Sequence, residues 1–439
     1  MLPPTVLVIF GITGDLSRRY LLPALTAIKQ AGQLPEDFKV IGVSRRQVQP
    51  SDILDEHTRV LAGHLGLVKV NAKDPADYQM LGKEIEALGS SFKTKPQIIL
   101  YLTIPPQAVA SVVKLLGAAG LNGPNVKLLL EKPFGTDLNS ASELVAEASK
   151  YYQEDQVYRI DHYLAKEVAQ NITVFLGTNT LFRNVWSGEF IEKIEIIAAE
   201  KIGIEDRGEL WESTGTLRDF VQSHLLQLAA LTLMEPCRDV FDIEQVSKHR
   251  LKALKLIEPV QEPDKVFAAQ YQSYQSHAAR PHSKSETFIS LTLNSNDERW
   301  KGVPIHLITG KKLNEKLTEI RIYFKKSQDL QSNLLVLRIQ PKEGIELDLC
   351  VKKPGYERKL QQLSLSFSYG QHFGKLPDAY EQVLVDAMTG TQGLFASSQE
   401  VLTSWKILQP VLDYWKTNKH IATYKDNASV EEILVSKVS

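Results

Sequence analysis

The stretch Arg159-Ile-Asp-His-Tyr-Leu-Ala-Lys-Glu167 gathers a guanidinium, two carboxylates, an imidazole, a phenol and an ammonium. A helix beginning just after Asp161 would set His162 and Lys166 at i and i+4, one above the other on one face. Two donors so placed can grip an anionic group such as a phosphate. The same pattern suits a capped surface helix, with Asp161 as N-cap and Lys166 and Glu167 in solvent. On this stretch alone both readings stand open.

Three other places carry chemistry. Gly11-Ile-Thr13-Gly14-Asp15-Leu16 follows an apolar run and opens a helical pattern, which is where a Rossmann fold seats a pyrophosphate. Glycine lets the backbone approach the phosphates, and the free N–H groups and dipole of the helix favour negative charge. The spacing is Gly-x-x-Gly, shorter than the full dinucleotide fingerprint, and a strand-to-helix turn also wants glycine for itself. At the end of the second apolar run the chain reads Gly42-Val-Ser-Arg45-Arg46, without the acid that bonds the ribose hydroxyls in an NAD site. Arg45 and Arg46 could clamp a 2′-phosphate instead, so NADP is preferred over NAD; a solvated basic loop is the plain alternative. Glu131-Lys132-Pro133-Phe-Gly135 follows the fifth run and would aim Lys132 into the crevice at the strand ends, with Pro133 suited to a cis bond in a tight turn. His224 stands alone on a largely apolar helical stretch, where a histidine is more often a satisfied core residue than a base, and Asp219 need not share its face.

These groups need elements to hold them. Strand-like runs at residues 6–10, 40–43, 67–70, 98–102 and 126–130 alternate with amphipathic stretches at 16–31, 76–88, 108–118 and 139–151. That rhythm predicts a doubly wound parallel sheet. Beyond residue 160 the pattern gives a helix over 163–176, a strand over 191–199 and a helix over 215–234. Runs at 267–274, 286–293, 303–309, 318–324, 333–340, 345–351 and 360–367 then alternate polar and apolar residues, which predicts a large, mainly antiparallel sheet with one face covered. Helices over 379–388 and 398–415 follow, then a polar tail from 422 expected to be loosely held; 270–282 is the candidate mobile loop. The expected division is an NADP-binding Rossmann domain over 1–160 and a β+α substrate-binding and dimerisation domain over 161–439.

Composition bounds the partners. With 439 residues, 43% of them hydrophobic and 23% charged, the chain is an ordinary globular one of two-domain length. A formal net charge of −1 implies no general attraction to nucleic acid or to an anionic membrane, so an anionic ligand must be held by a local basic cluster. Two widely spaced cysteines, Cys237 and Cys350, give neither a disulfide framework nor a metal-ligand pattern. No signal-peptide pattern or membrane-length apolar run occurs, and the expected setting is the cytoplasm.

Taken in order, Gly11-Ile-Thr-Gly-Asp-Leu16, Glu131-Lys-Pro-Phe-Gly135, the 159–167 stretch, Arg218-Asp-Phe-Val-Gln-Ser-His-Leu-Leu-Gln227, Arg299-Trp-Lys-Gly-Val-Pro304 and Gly310-Lys-Lys-Leu-Asn-Glu315 resemble the glucose-6-phosphate dehydrogenase family. The likeness runs from about residue 5 to residue 415. The resemblance implies that His224 is the general base and that Asp161 hydrogen-bonds it, fixing the tautomer. It implies that His162, Tyr163 and Lys166 bind the sugar phosphate and that Glu205 and Asp219 orient the sugar hydroxyls. Lys311 and Lys316 would complete the sugar site, and Lys132 would bridge substrate and coenzyme. Gly11, Thr13, Gly14, Asp15, Leu16, Arg45 and Arg46 would hold NADP, with NAD as a weaker alternative, and no metal is implied. A homodimer packed through the large sheet is the family-like assembly. The chain departs from the family at Ala165, where the family has Gly, at Ser223, where it has Asn, and in its tail. Two other classes stay open: a related oxidoreductase of unphosphorylated sugars, and a weakly active NADP-binding regulator.

Overall fold

The computed structural model describes residues 2–205, 207–237, 239–326 and 332–436. The chain forms two compact units. The first gathers Met1–Gly135, Asn139–Ala165 and Pro377–Ser398; the second gathers Thr136–Leu138, Lys166–Leu376 and Gln399–Ser439.

In the first unit, β1 (Thr5–Phe10), β2 (Phe38–Ser44), β3 (Leu65–Lys69), β4 (Gln97–Leu102), β5 (Val126–Leu130) and β6 (Val157–Ile160) form a parallel sheet in the order β6-β5-β4-β1-β2-β3. The five expected strands are all present. Every residue of β1 is buried, as a strand covered on both faces requires. A short strand, Phe395–Ala396, adds antiparallel to β6.

That strand and the helix Ala379–Thr389 bring residues 377–398 into the first unit, which a single boundary at residue 160 does not anticipate. The physical reason is burial. Tyr380, Val383, Leu384 and Ala387 join Leu7, Ile9, Ile99, Tyr101 and Leu129 in one core. A capping box of Asp378 and Glu381 starts this helix, and Gly390 in the left-handed conformation ends it. Lys127 Nζ donates to the Ala387 carbonyl and to Gln97 Oε1, both at 2.7 Å, tying its C-terminal turn to β4 and β5. Burial pushes the Lys127 ammonium down to about 8.

In the second unit, β7 (Ile191–Ala199), β8 (Phe267–Tyr271), β9 (Phe288–Leu293), β10 (Ile305–Gly310), β11 (Leu317–Phe324), β12 (Leu334–Gln340), β13 (Gly344–Lys352) and β14 (Leu360–Ser368) belong to one sheet in the order β14-β13-β12-β11-β7-β10-β9-β8. All pairs are antiparallel except β7 with β10. These eight strands follow the expected runs.

Two expectations fail in this unit. The tail is packed: Ala422–Tyr424 adds a parallel strand to β8, Tyr424 is buried, and Val430–Ser436 forms a helix with Ile433 in the core. Four buried residues spaced along a polar segment, Tyr424, Ala428, Val430 and Ile433, anchor it. The 270–282 segment is held as well. Tyr274 is fully buried and donates to Glu212 Oε1 at 2.6 Å, and Gln270 Nε2 donates to the Ser283 and Ser285 carbonyls.

The β13–β14 end of the sheet has one apolar face left open. Register places Leu349 opposite Leu363, Leu347 opposite Leu365 and Ile345 opposite Phe367, all on one side. Leu365 is 63% exposed and Leu363 49%.

Candidate active site

In the first unit the chemistry collects at the C-terminal ends of the parallel strands. The turn after β1 is closed by Gly14 N donating to the Gly11 carbonyl at 2.8 Å, and Ser17 Oγ donates to the same carbonyl at 3.1 Å. Gly11 has φ of 81°, and a Cβ there would lie 2.5 Å from the Thr103 carbonyl at the end of β4. Only glycine fits this turn. The helix begins at Asp15, so its unpaired N–H groups lie just past the two glycines. Thr13, Gly14 and Leu16 are half-buried, and Asp15 is exposed and paired with Arg19 at 2.9 Å. Arg45 and Arg46 follow β2, both exposed, and among the described residues neither guanidinium has an ion-pair partner.

Lys132 follows β5, and its bond to Pro133 is cis. Beside it, Glu131 accepts a hydrogen bond from the Tyr101 hydroxyl at 2.6 Å. Burial pushes the Glu131 carboxyl up to about 7, against the downward pull of that hydrogen bond and of Lys132, and the Asp161 carboxylate adds to the rise.

Asp161 follows β6 and is buried. The helix expected to begin after it does not. Asp161 Oδ1 accepts from Tyr163 N at 3.1 Å and its carbonyl accepts from Leu164 N at 3.0 Å, which closes a turn. Lys166 is the extended N-cap (ψ 139°) of a helix spanning Glu167–Thr178. His162 and Lys166 are therefore not an i, i+4 pair on one helical face, and Asp161 is not a helix cap. They fall in different units: His162 and the buried Tyr163 in the first, Lys166 in the second. The His162 ring lies 5.0 Å from that of Tyr163 and stacks 6.0 Å from that of Tyr380. Sequence reasoning missed Tyr380, and no local signal ties residue 380 to residue 162.

In the second unit a broken helix carries the other groups. Gly208–Thr216 kinks at Gly215 (φ 64°), a π-wound segment runs over Leu217–Leu225, and an α-helix continues over Leu226–Leu233. π-Winding is uncommon and clusters at functional sites. Its turn holds Asp219, half-buried, and His224, only 1% exposed. Ser223 Oγ donates to the Asp219 carbonyl at 3.1 Å, so the serine in place of the family's Asn is satisfied within the helix. The Phe220 ring meets the His224 ring edge-on at 5.4 Å. Lys311 Nζ lies 5.4 Å from the same Phe220 ring and 4.7 Å from Trp211, and it pairs with Glu200. The structure thus brings His224 and Lys311 to one aromatic ring. Glu205, at φ of 47°, and Lys316 are exposed, and among the described residues no hydrogen bond or ion pair joins them to that cluster. Among the described residues no group of three or more His, Cys, Asp or Glu side chains is arranged to hold a metal ion.

Sequence reasoning also missed Glu200 and Glu286. Glu286 lies between Ser285 and Thr287 just before β9 and is fully buried; its polar neighbours gave no local signal of that burial.

Both halves of the chain match known proteins. Residues 8–171 match the family described as "Glucose-6-phosphate dehydrogenase, NAD binding domain", and residues 173–432 match "Glucose-6-phosphate dehydrogenase, C-terminal domain". The chain is 35% identical to the glucose-6-phosphate 1-dehydrogenase of Chlamydia muridarum, over 94% of this chain and 90% of that one. It is 33% identical to that of Bacillus subtilis, over 98% and 95%. A solved glucose-6-phosphate dehydrogenase in complex with its substrate glucose-6-phosphate superposes with a TM-score of 0.91 at 31% identity, over 99% of this chain and 97% of that one. With both halves matched over nearly its whole length, the chain belongs to the glucose-6-phosphate dehydrogenase family.

Proposed function

We propose that the chain oxidises D-glucose 6-phosphate to 6-phospho-D-glucono-1,5-lactone with hydride transfer to NADP, the first step of the oxidative pentose phosphate pathway. The observation that carries this is His224, buried on a π-wound turn against the Phe220 ring that Lys311 also borders, in an oxidoreductase family whose N-terminal half is a nicotinamide-nucleotide-binding domain.

His224 takes the proton of the C1 hydroxyl as the C1 hydride leaves, so one bond's electron pair departs with hydrogen and the O–H pair becomes the lactone C=O. Asp161 keeps the supporting role of fixing the imidazole tautomer and favouring its protonated form. Asp219 and Glu205 accept from sugar hydroxyls, and Lys311 and Lys316 complete the sugar site. His162, Tyr163 and Lys166 hold the phosphate as donors drawn from a turn and a helix N-cap.

The residues present suit a nicotinamide dinucleotide, since the Gly11–Gly14 turn has no side chain at either end and leads directly into a helix N-terminus at Asp15. When bound, NADP supplies the hydride acceptor. Gly11, Thr13, Gly14, Asp15 and Leu16 would line its pyrophosphate, Arg45 and Arg46 its 2′-phosphate, and Lys132 the nicotinamide side. Two exposed arginines without ion-pair partners among the described residues, where no acid follows β2, favour NADP over NAD.

Initial rates test this directly. Glucose 6-phosphate should exceed glucose by at least about 100-fold in kcat/KM, because each lost charged hydrogen bond costs about 1.5–3 kcal/mol. Arg45→Ala should raise the KM for NADP about 10- to 100-fold and leave NAD nearly unchanged, by the same arithmetic. Glucose used at comparable efficiency would sink the phosphate assignment, and equal loss with both coenzymes would sink the role of Arg45.

The open face of β13 and β14 supports a homodimer, since contiguous apolar surface of this kind is uncommon on a monomer. Leu365→Asp should convert a dimer to a monomer in sedimentation velocity. A wild-type chain that already sediments as a monomer at micromolar concentration would end this reading. The cytoplasm remains the proposed location, on the two unbridged cysteines; no described helix is long and apolar enough to cross a membrane.

A further inference from the structure

We propose that Glu286, held by Lys419, is a positioning residue for the reaction: it fixes the start of the helix that carries Asp219 and His224. The proposal rests on the assignment of His224 as the base.

The helix has an unusual beginning. Gly215 (φ 64°, ψ 180°) breaks the preceding helix, so the chain re-enters helical geometry at Thr216 with its first N–H groups unpaired. Glu286 meets them with both its backbone and its side chain. Its carbonyl accepts from Thr216 N at 3.1 Å, from Thr216 Oγ1 at 3.0 Å and from Trp211 Nε1 at 3.2 Å. Its carboxylate accepts from Leu217 N at 3.0 Å through Oε1. One residue, distant in sequence, thus caps the helix and ties it to the indole that also borders Lys311.

The space is shaped around this contact. A Cβ on Gly215 would collide with Glu286 Oε1, so glycine serves both the positive φ and the approach of the carboxylate. Glu286 is fully buried, and a buried carboxylate needs a counter-charge as well as hydrogen bonds. Lys419 supplies it at 2.5 Å from Oε2, with its ammonium 4.5 Å from the Trp415 ring centroid. Negative charge at a helix N-terminus is itself favourable. The segment after the helix Ser398–Asn418 is in this way linked through Lys419 and Glu286 to the turn bearing the base.

A shift of about 1 Å in a reacting group can cost about 100-fold in rate. A π-wound segment leaves the side chains downstream of the cap sensitive to where the first turn begins. Glu286→Ala removes the carboxylate that caps Leu217 N, leaving the carbonyl bonds to Thr216 and Trp211, strands Lys419, and is expected to lower kcat about 100-fold. Glu286→Gln keeps an oxygen that can accept from Leu217 N and should recover most of that loss. A merely structural role would lower the melting temperature and leave kcat per folded enzyme unchanged, so rates are taken well below the transition and normalised to folded protein.

The deciding measurement is the cycle of Glu286→Ala, His224→Asn and the double variant. If Glu286 acts by placing His224, the double variant turns over like His224→Asn alone. A further large fall in the double variant, or an unchanged kcat in folded Glu286→Ala, overturns the proposal. An unchanged kcat in His224→Asn instead overturns the base assignment, a separate outcome. Should Glu286→Ala not fold, Lys419→Met takes its place in the same cycle: a lowered kcat absent from the His224→Asn background supports the proposal, and an unchanged one overturns it.

Discussion

Replacing His224 by Asn is expected to lower kcat for glucose 6-phosphate oxidation by about 10²- to 10⁴-fold, the usual contribution of a positioned general base. That corresponds to roughly 3–5 kcal/mol in the barrier. Asn preserves a polar group of similar reach on the turn, but its amide does not take up a proton at neutral pH. The loss should sit in kcat, because phosphate and coenzyme are assigned to other residues, and a group acting only in the transition state lowers kcat and kcat/KM together. His224 is 1% exposed beside Phe220, so the melting temperature of the variant must be measured with its rate. A second readout separates chemistry from collapse of the site. With the base gone, hydride transfer should become fully rate-limiting, and glucose 6-phosphate deuterated at C1 should show a large isotope effect on kcat. A folded variant with turnover within tenfold of wild type would remove His224 from the mechanism.

How much of this was legible in the sequence depended on whether the signal was local. The parallel sheet was, because β1 holds an unbroken apolar run over 6–10 and β5 is apolar but for Lys127, and so were β7 to β14 of the second unit, many of which mix polar and apolar residues in alternation. The helix Ile243–Leu256 was not expected: only Val246, Ala253 and Leu254 supply its apolar face, and the fourth inward residue is Arg250. Its burial depends on a partner 150 residues away. The 159–167 stretch misled on geometry, because Asp161 closes a turn on itself where periodicity suggested a helix. Tyr380 against His162 and Glu286 at the start of the helix that carries His224 are long-range pairings that no window along the chain can show. The motifs led to the family, whereas the groups supporting them came only from the fold.

The Arg250–Glu400 pair gives the largest expected stability effect. Both side chains are fully buried, with Nε to Oε1 at 2.6 Å and Nη2 to Oε2 at 3.2 Å, a two-point contact joining Ile243–Leu256 to the first turn of Ser398–Asn418. Glu400 gains further from lying at a helix N-terminus. Glu400→Ala removes the counter-charge and leaves the guanidinium buried, which should cost about 3–5 kcal/mol. Against a total stability of roughly 5–15 kcal/mol, that is enough to shift a urea midpoint strongly. Replacing both partners by apolar residues of similar volume, Arg250→Met with Glu400→Leu, should be near neutral or stabilising by about 1–4 kcal/mol, since desolvation of both charges is then avoided. The single and double variants together therefore separate what the pair contributes from what an orphaned charge costs. A Glu400→Ala chain as stable as wild type would mean that the guanidinium finds water or another acceptor, and that the pair does not join the two helices. The kcat of the folded double variant should match wild type, because neither residue belongs to the proposed site.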